Sequence, residues 1–147
     1  MYRSILVATD GSELSQKAVK AALRMARDFG AEVTAINVQA PYEPPIAGEV
    51  PAVFLHNPTE YDRMAREQSR AILDEVEQLA TQLGVSCRTE TVFEQAVYKA
   101  VIRSAKSHRC DLIVMASHGR GGIRSVLLGS ETTKLLTHCM IPVLVHR

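Results

Sequence analysis

The sequence predicts an α/β protein, a doubly wound, five-stranded parallel sheet with helices on both faces. Three observations lead there. Short apolar runs alternate with longer amphipathic segments in the order β-α-β-α-β-α-β-α-β, the pattern of parallel strands joined by helical crossovers. The first run, Ile5-Leu6-Val7-Ala8-Thr9, is apolar without alternation, as a central strand covered on both faces must be. Gly30 and Gly84 stand just after the two longest amphipathic segments, where glycine ends a helix in left-handed backbone.

The elements follow in order. Asp10-Gly11-Ser12 breaks the first strand, and Ser12 can cap the next helix. Leu14, Ala18, Ala22, Met25 and Phe29 recur at helical spacing and mark its buried face. Residues 31–38, rich in β-branched and small side chains, read as the second strand. The proline-bearing segment 41–58 reads as a long loop, either a surface excursion or a flap over a ligand. Residues 59–83 form a long helix with Ala65, Ile72, Val76, Leu79 and Leu83 inward; Glu67, Arg70, Asp74, Glu75 and Glu77 lie mostly on a solvated face. Residues 85–93 alternate like a strand with one polar face, near a sheet edge. Residues 94–108 are helical, with Val97, Val101 and Ala105 inward. Residues 111–116 are the fourth strand and 131–138 a short helix that Ser130 can cap. Residues 141–146 close the chain as a strand whose Pro142 suits an edge position or a strand beginning.

Composition narrows the function. The 147 residues, 46% of them hydrophobic, fit one domain spanning residues 1–147. With 17 basic and 16 acidic residues, the chain has no overall field to attract nucleic acid or an acidic membrane. It lacks tryptophan and has only three phenylalanines, too few for a base-stacking platform. Cys87, Cys110 and Cys139 have no zinc-ligand spacing and read as buried, reduced thiols. The N-terminal apolar run is too short for a signal peptide, and no stretch is long enough to span a bilayer. A soluble cytoplasmic protein is expected.

Chemistry concentrates between the fourth strand and the last helix. Gly119, Gly121, Gly122 and Gly129 stand there with Arg120 and Arg124. Glycines admit close approach of a ligand to the main chain. Exposed N–H groups in such a loop, next to a helix N-terminus, make an anion site. A Walker loop is excluded because no GxxxxGK[ST] occurs. The dinucleotide pattern GxGxxG fails at Arg124 and follows the wrong strand. If the first and fourth strands are neighbours, the loop faces Thr9-Asp10-Gly11-Ser12 across the crevice where doubly wound sheets hold ligands.

These residues resemble the universal stress protein family over nearly the whole chain. The likeness lies in Ile5-Leu6-Val7-Ala8-Thr9-Asp10-Gly11-Ser12, in the stretch from Cys110 through Gly122 to Gly129-Ser130, and in His138-Cys139-Met140-Ile141-Pro142-Val143-Leu144-Val145. The resemblance implies strand order 3-2-1-4-5 in an adenine nucleotide α-hydrolase-like fold. It also implies an ATP site. The family's motif, Gly-x2-Gly-x9-Gly-[Ser/Thr], is met at Gly119 and Gly129-Ser130 and departed from at Ala116. A methyl group is tolerated there if Ala116 is strand-like, as the end of an apolar run should be. The implied nucleotide-binding set is Thr9, Asp10, Val38, Ala116, Ser117, Gly119, Arg120, Gly122, Gly129, Ser130, Glu131 and Thr132. In it Asp10 and Val38 border the adenine, while Gly119 and Gly122 present N–H groups to ribose and phosphates. Ser130 adds a hydroxyl there and caps its helix. Asp10 has a second reading as a turn residue bonding its own backbone, and Arg120 and Arg124 either add charge to the phosphates or face solvent. Mg²⁺ would be held through the phosphates. No catalytic residue is assigned: His118 reads as a loop residue, His138 and His146 as structural. The implied function is a nucleotide-dependent regulatory stress-response module; a slow ATPase or adenylyl-transfer enzyme, and a stress protein that binds a partner without nucleotide, are the alternatives. A homodimer through residues 142–146 is also implied, and an unidentified protein partner is possible.

Overall fold

The structure, a computed structural model, describes residues 1–46, 57–122 and 127–147. Most of the proline-bearing segment and Arg124 lie outside the described residues.

Five strands form one parallel sheet: β1 (Ser4–Ala8), β2 (Glu32–Gln39), β3 (Cys87–Phe93), β4 (Leu112–Ala116) and β5 (Val143–His146). Their order is β3-β2-β1-β4-β5, as the resemblance implied. β1 is central, with Val7 opposite Ala35 of β2 and Val114 of β4. The helices are α1 (Glu13–Phe29), α2 (Pro58–Leu83), α3 (Val97–Ser107) and α4 (Ser130–His138). Side chains alternate across the sheet, so each strand feeds two cores. Ile5, Val7, Leu112 and Val114 pack with α1 and α2 on one face; Leu6, Ile36 and Ile113 pack with α3 and α4 on the other. Double coverage explains why β1 reads as unbroken apolar sequence.

Several expectations need correction. In α1 the buried stripe is Ser15, Ala18, Val19, Ala22, Leu23 and Ala26. Leu14 and Met25 lie at its margin, and Phe29 is 41% exposed against Tyr2. In α2 the stripe is Ala65, Ser69, Leu73, Val76 and Ala80, so Ile72, Leu79 and Leu83 are only half-buried. Buried Ser69 fits because its hydroxyl pairs with that of Thr91 at 2.7 Å. The helix starts at Pro58, capped by the Asn57 side chain, because proline suits a first turn. α3 starts at Val97 and not at residue 94, since the Glu94 N–H still donates to Gln39 O in the sheet ladder. β5 begins only after Pro142, which lacks an N–H but accepts from Ile113 N through its carbonyl. Of the three free cysteines only Cys110 is buried; Cys87 and Cys139 are half-buried. Burial, with Glu77 nearby, pushes the Cys87 thiol up to about 11.

Candidate functional site

Parallel order places the carboxyl ends of β1 and β4 side by side, and the connections leave them for opposite faces. Thr9, just past β1, is fixed from four sides. Its N–H donates to Ile36 O, its carbonyl accepts from the buried Asn37 side chain at 2.9 Å, and its hydroxyl meets Ser15 Oγ and Gly11 N. Asp10 follows. One carboxylate oxygen accepts from Ser12 N at 2.9 Å, the other from Arg120 N at 2.8 Å. Asp10 is therefore both a turn residue and a clasp on the glycine loop 110 positions away.

The loop is closed at its base. Ser117 N donates to His146 O, and Ser117 O accepts from Gly129 N at 2.6 Å. Gly122 N donates to Gly119 O, making a turn of residues 119–122. Two glycines are demanded by their own neighbours. A Cβ on Gly119 would stand 2.6 Å from Asp10 Oδ2, and one on Gly122 would stand 2.6 Å from the His118 side chain. α4 then starts at Ser130. Its cap is Gly129, with extended backbone and no side-chain cap bond, so Ser130 is not the helix cap expected. Thr132 Oγ1 donates to Ala116 O at 3.0 Å, and Glu131 accepts from Tyr98 N at 2.8 Å. These two bonds tie the first turn of α4 to β4 and to the start of α3, which has no side-chain cap of its own.

Between the two loops lies a cleft of about 470 Å³. Ten of the twelve residues singled out from sequence line it: Thr9, Asp10, Val38, Ala116, Gly119, Gly122, Gly129, Ser130, Glu131 and Thr132. Ala116 is the last residue of β4 and is 5% exposed, so its methyl group sits on extended backbone. Ser117 and Arg120 are not brought to the cleft. Ser117 is buried in the loop base, and an Arg120 guanidinium nitrogen lies 2.9 Å from where a Gly11 Cβ would stand. The Gly122 N–H is committed to its turn and not presented to the cleft. Sequence reasoning missed the apolar floor, Ala8, Ile36, Val97, Met115 and Leu128, and the polar residues Ser15 and His118. Strand alternation carries part of that signal, since Ala8 and Ile36 share a sheet face with Val38. Asn37 was also missed; a lone amide in a β-branched run is its only mark.

Burial pushes the Asp10 carboxyl up, but hydrogen bonds from Ser12, Ser15 and the Arg120 N–H outweigh this and leave its pKa below the ordinary 3.8. The stability it contributes is thus present above the ordinary value and is lost as pH falls through the lower folded value. Asp10→Asn is expected to cost about 1–2 kcal/mol at neutral pH, from the lost charged acceptors. In urea unfolding, the gap from the unaltered protein should narrow at about pH 2.5. An undiminished gap there would contradict the clasp.

An open parallel sheet whose order reverses beside a cleft, with a glycine loop running from β4 into α4, defines a doubly wound α/β protein with a ligand crevice at its switch point. The sequence profile described as "Universal stress protein family" matches residues 1–147. The chain belongs to that family. It is 31% identical to a universal stress protein of Methanocaldococcus jannaschii, over 99% of this chain and 82% of that one. Among solved structures, a family member from Burkholderia pseudomallei superposes with a TM-score of 0.77 at 29% identity, covering 98% of this chain and 95% of that one. A universal stress protein solved in complex with cAMP matches with a TM-score of 0.70 at 25% identity, covering 99% and 97%.

Proposed function

We propose that the cleft binds an adenine nucleotide, ATP in the first instance, and that the protein acts as a nucleotide-dependent regulatory module of the stress response. The observation that carries this reading is the composition of the cleft at the switch point. Ile36, Val38 and Met115 offer an apolar floor to a base. Gly119 and Gly129 bare the main chain on the opposite wall, and Ser130 to Thr132, the first turn of α4, end there. A helix N-terminus supplies unpaired N–H donors and partial positive charge to a phosphate. Here the donors are those of α4, since the Gly122 N–H is already bonded. The related protein bound to cAMP supports the same class of ligand. Mg²⁺ would arrive with the phosphates. Bound nucleotide would bridge the Asp10 clasp and α4, and so bias the loop between them.

The second element of the proposal is a homodimer through β5. That strand is an edge, all four of its residues are half-exposed, and Met140 beside it is 98% exposed. An uncovered apolar edge favours pairing with a like edge. Native mass spectrometry of the purified protein, with and without added ATP, reads both elements. The expected species is a dimer that carries or takes up one nucleotide per chain. A monomer would overturn the dimer, and no adduct with ATP, ADP, AMP or cAMP would overturn the nucleotide reading.

A further inference from the structure

α3 begins at the cleft without a cap of its own. The first N–H groups of a helix find no partner inside it, and Ala96, at the cap position, offers none from its methyl side chain. The nearby acid Glu94 is committed elsewhere: its carboxylate accepts from Ala96 N at 3.4 Å and from the Arg103 guanidinium at 3.1 Å. The acceptor comes instead from 33 positions away. Glu131, in the first turn of α4, takes the Tyr98 N–H at 2.8 Å. Its other oxygen lies 3.3 Å from Lys134 Nζ. Lys134 in turn stands over the Tyr98 ring, 5.9 Å from its centre, and the centre of the His138 ring is 5.2 Å from it. Glu131, Lys134 and His138 recur at helical spacing, so one face of α4 grips Tyr98 by both backbone and ring.

We infer that Glu131 is a positioning residue for the cleft: its carboxylate caps α3 from α4 and thereby holds Val97 in the cleft wall. This rests on the nucleotide reading above and adds to it the residue that fixes one wall of the site. Val97 is the first residue of α3 and lines the cleft, as does Glu131. Val97 packs on the core of Leu6, Ile36 and Ile113 but is only half-buried. A first turn that loses its cap frays, and Val97 leaves the wall with it. The carboxylate also serves the positive ends of two helices, α3 and its own α4, so one side chain ties both termini together. Coupling of this kind is reciprocal: a ligand seated against Val97 strengthens the cap, and exchange of the Tyr98 amide slows.

Two variants separate the cap from the charge: both Glu131→Gln and Glu131→Ala remove the charge, but only glutamine keeps an acceptor oxygen. Titration calorimetry with ATP and NMR hydrogen exchange at the Tyr98 amide are read on each, and again with Val97→Ala added to each. Glu131→Ala is expected to bind ATP about fivefold more weakly than Glu131→Gln, and to exchange the Tyr98 amide about fivefold faster, the usual size of a lost helix cap. With Val97→Ala present, the gap in ATP affinity should close to within about twofold, because the cap then has no wall side chain to hold. Direct contact of Glu131 with the ligand, or general damage to α4, would leave that gap intact. Equal ATP affinity of the two variants, or a gap that survives Val97→Ala, overturns the positioning role and leaves nucleotide binding standing. Failure of the unaltered protein to bind ATP overturns the nucleotide reading, and the positioning role with it.

Discussion

Replacing Gly119 with valine is expected to weaken ATP binding about a hundredfold, near 2.7 kcal/mol, while costing the fold about 1–3 kcal/mol. The reason is local. The new Cβ would stand 2.6 Å from Asp10 Oδ2, well inside contact distance, and valine adds two further methyl groups. Either the carboxylate swings away and abandons Arg120 N, or the turn lifts off the carboxyl end of β1. Both outcomes part the two walls of the cleft. The sheet below is insulated from the change, because Gly119 itself is exposed and the β1–β4 register is set by Ile5, Leu6 and Val7. Gly121→Ala is the matched control for the fold: nothing lies within 4 Å of a Cβ there, so its unfolding midpoint should hardly move. Calorimetric titration and thermal unfolding of both variants check the prediction. A valine variant that binds ATP within threefold of the unaltered protein would mean that the turn does not form the site.

The sequence revealed features set by local chemistry and missed those set by contacts across the chain. β1 was legible because burial on both faces leaves no polar position in Ile5-Leu6-Val7-Ala8, and α1 because Ser12 and Gly30 mark its ends in side-chain and backbone terms. The inward stripes were displaced because counting apolar residues ignores satisfied polar ones. Ser15 and Ser69 are buried through hydroxyl pairs with Thr9 and Thr91, whereas Phe29 sits at a helix end. Ser130 was misplaced as a cap because glycine and serine both suit that position, and only the extended backbone of Gly129 decides between them. Arg120 was drawn toward the cleft by its charge. Its guanidinium instead lies beside Gly11, while its N–H is bonded to Asp10, pairings that no local pattern contains. The same applies to Asn37, whose amide holds Thr9 O and so fixes where Asp10 begins.

Leu135→Ala is expected to have the largest effect on stability, about 2–5 kcal/mol, or roughly 5–15 °C in Tm for a chain of this size. Leu135 is fully buried, and it is the one large buried side chain of α4, which otherwise buries Thr132. It packs in the cluster of Leu6, Ile113, Ala100 and Val101, so its loss leaves a cavity between α4, α3 and the sheet. α4 has only nine residues, too few to persist without packing. Its other ties include the bonds of Thr132 to Ala116 O and of Glu131 to Tyr98 N, and the contacts of His138 and Lys134 with the Tyr98 ring. Because that same first turn walls the cleft, the damage should reach the ligand. Leu23→Ala provides the comparison: Leu23 is equally buried but belongs to α1 and the opposite core. Both variants should unfold more easily, with only Leu135→Ala also losing nucleotide affinity, by about tenfold, because binding must then reorder α4. Thermal unfolding over a series of ATP concentrations separates the two quantities, since ligand raises stability as RT ln(1 + [L]/Kd). Equal loss of affinity in Leu23→Ala and Leu135→Ala would show that α4 has no special part in the site. Loss confined to Leu135→Ala would make α4 the element through which core packing and nucleotide binding are coupled.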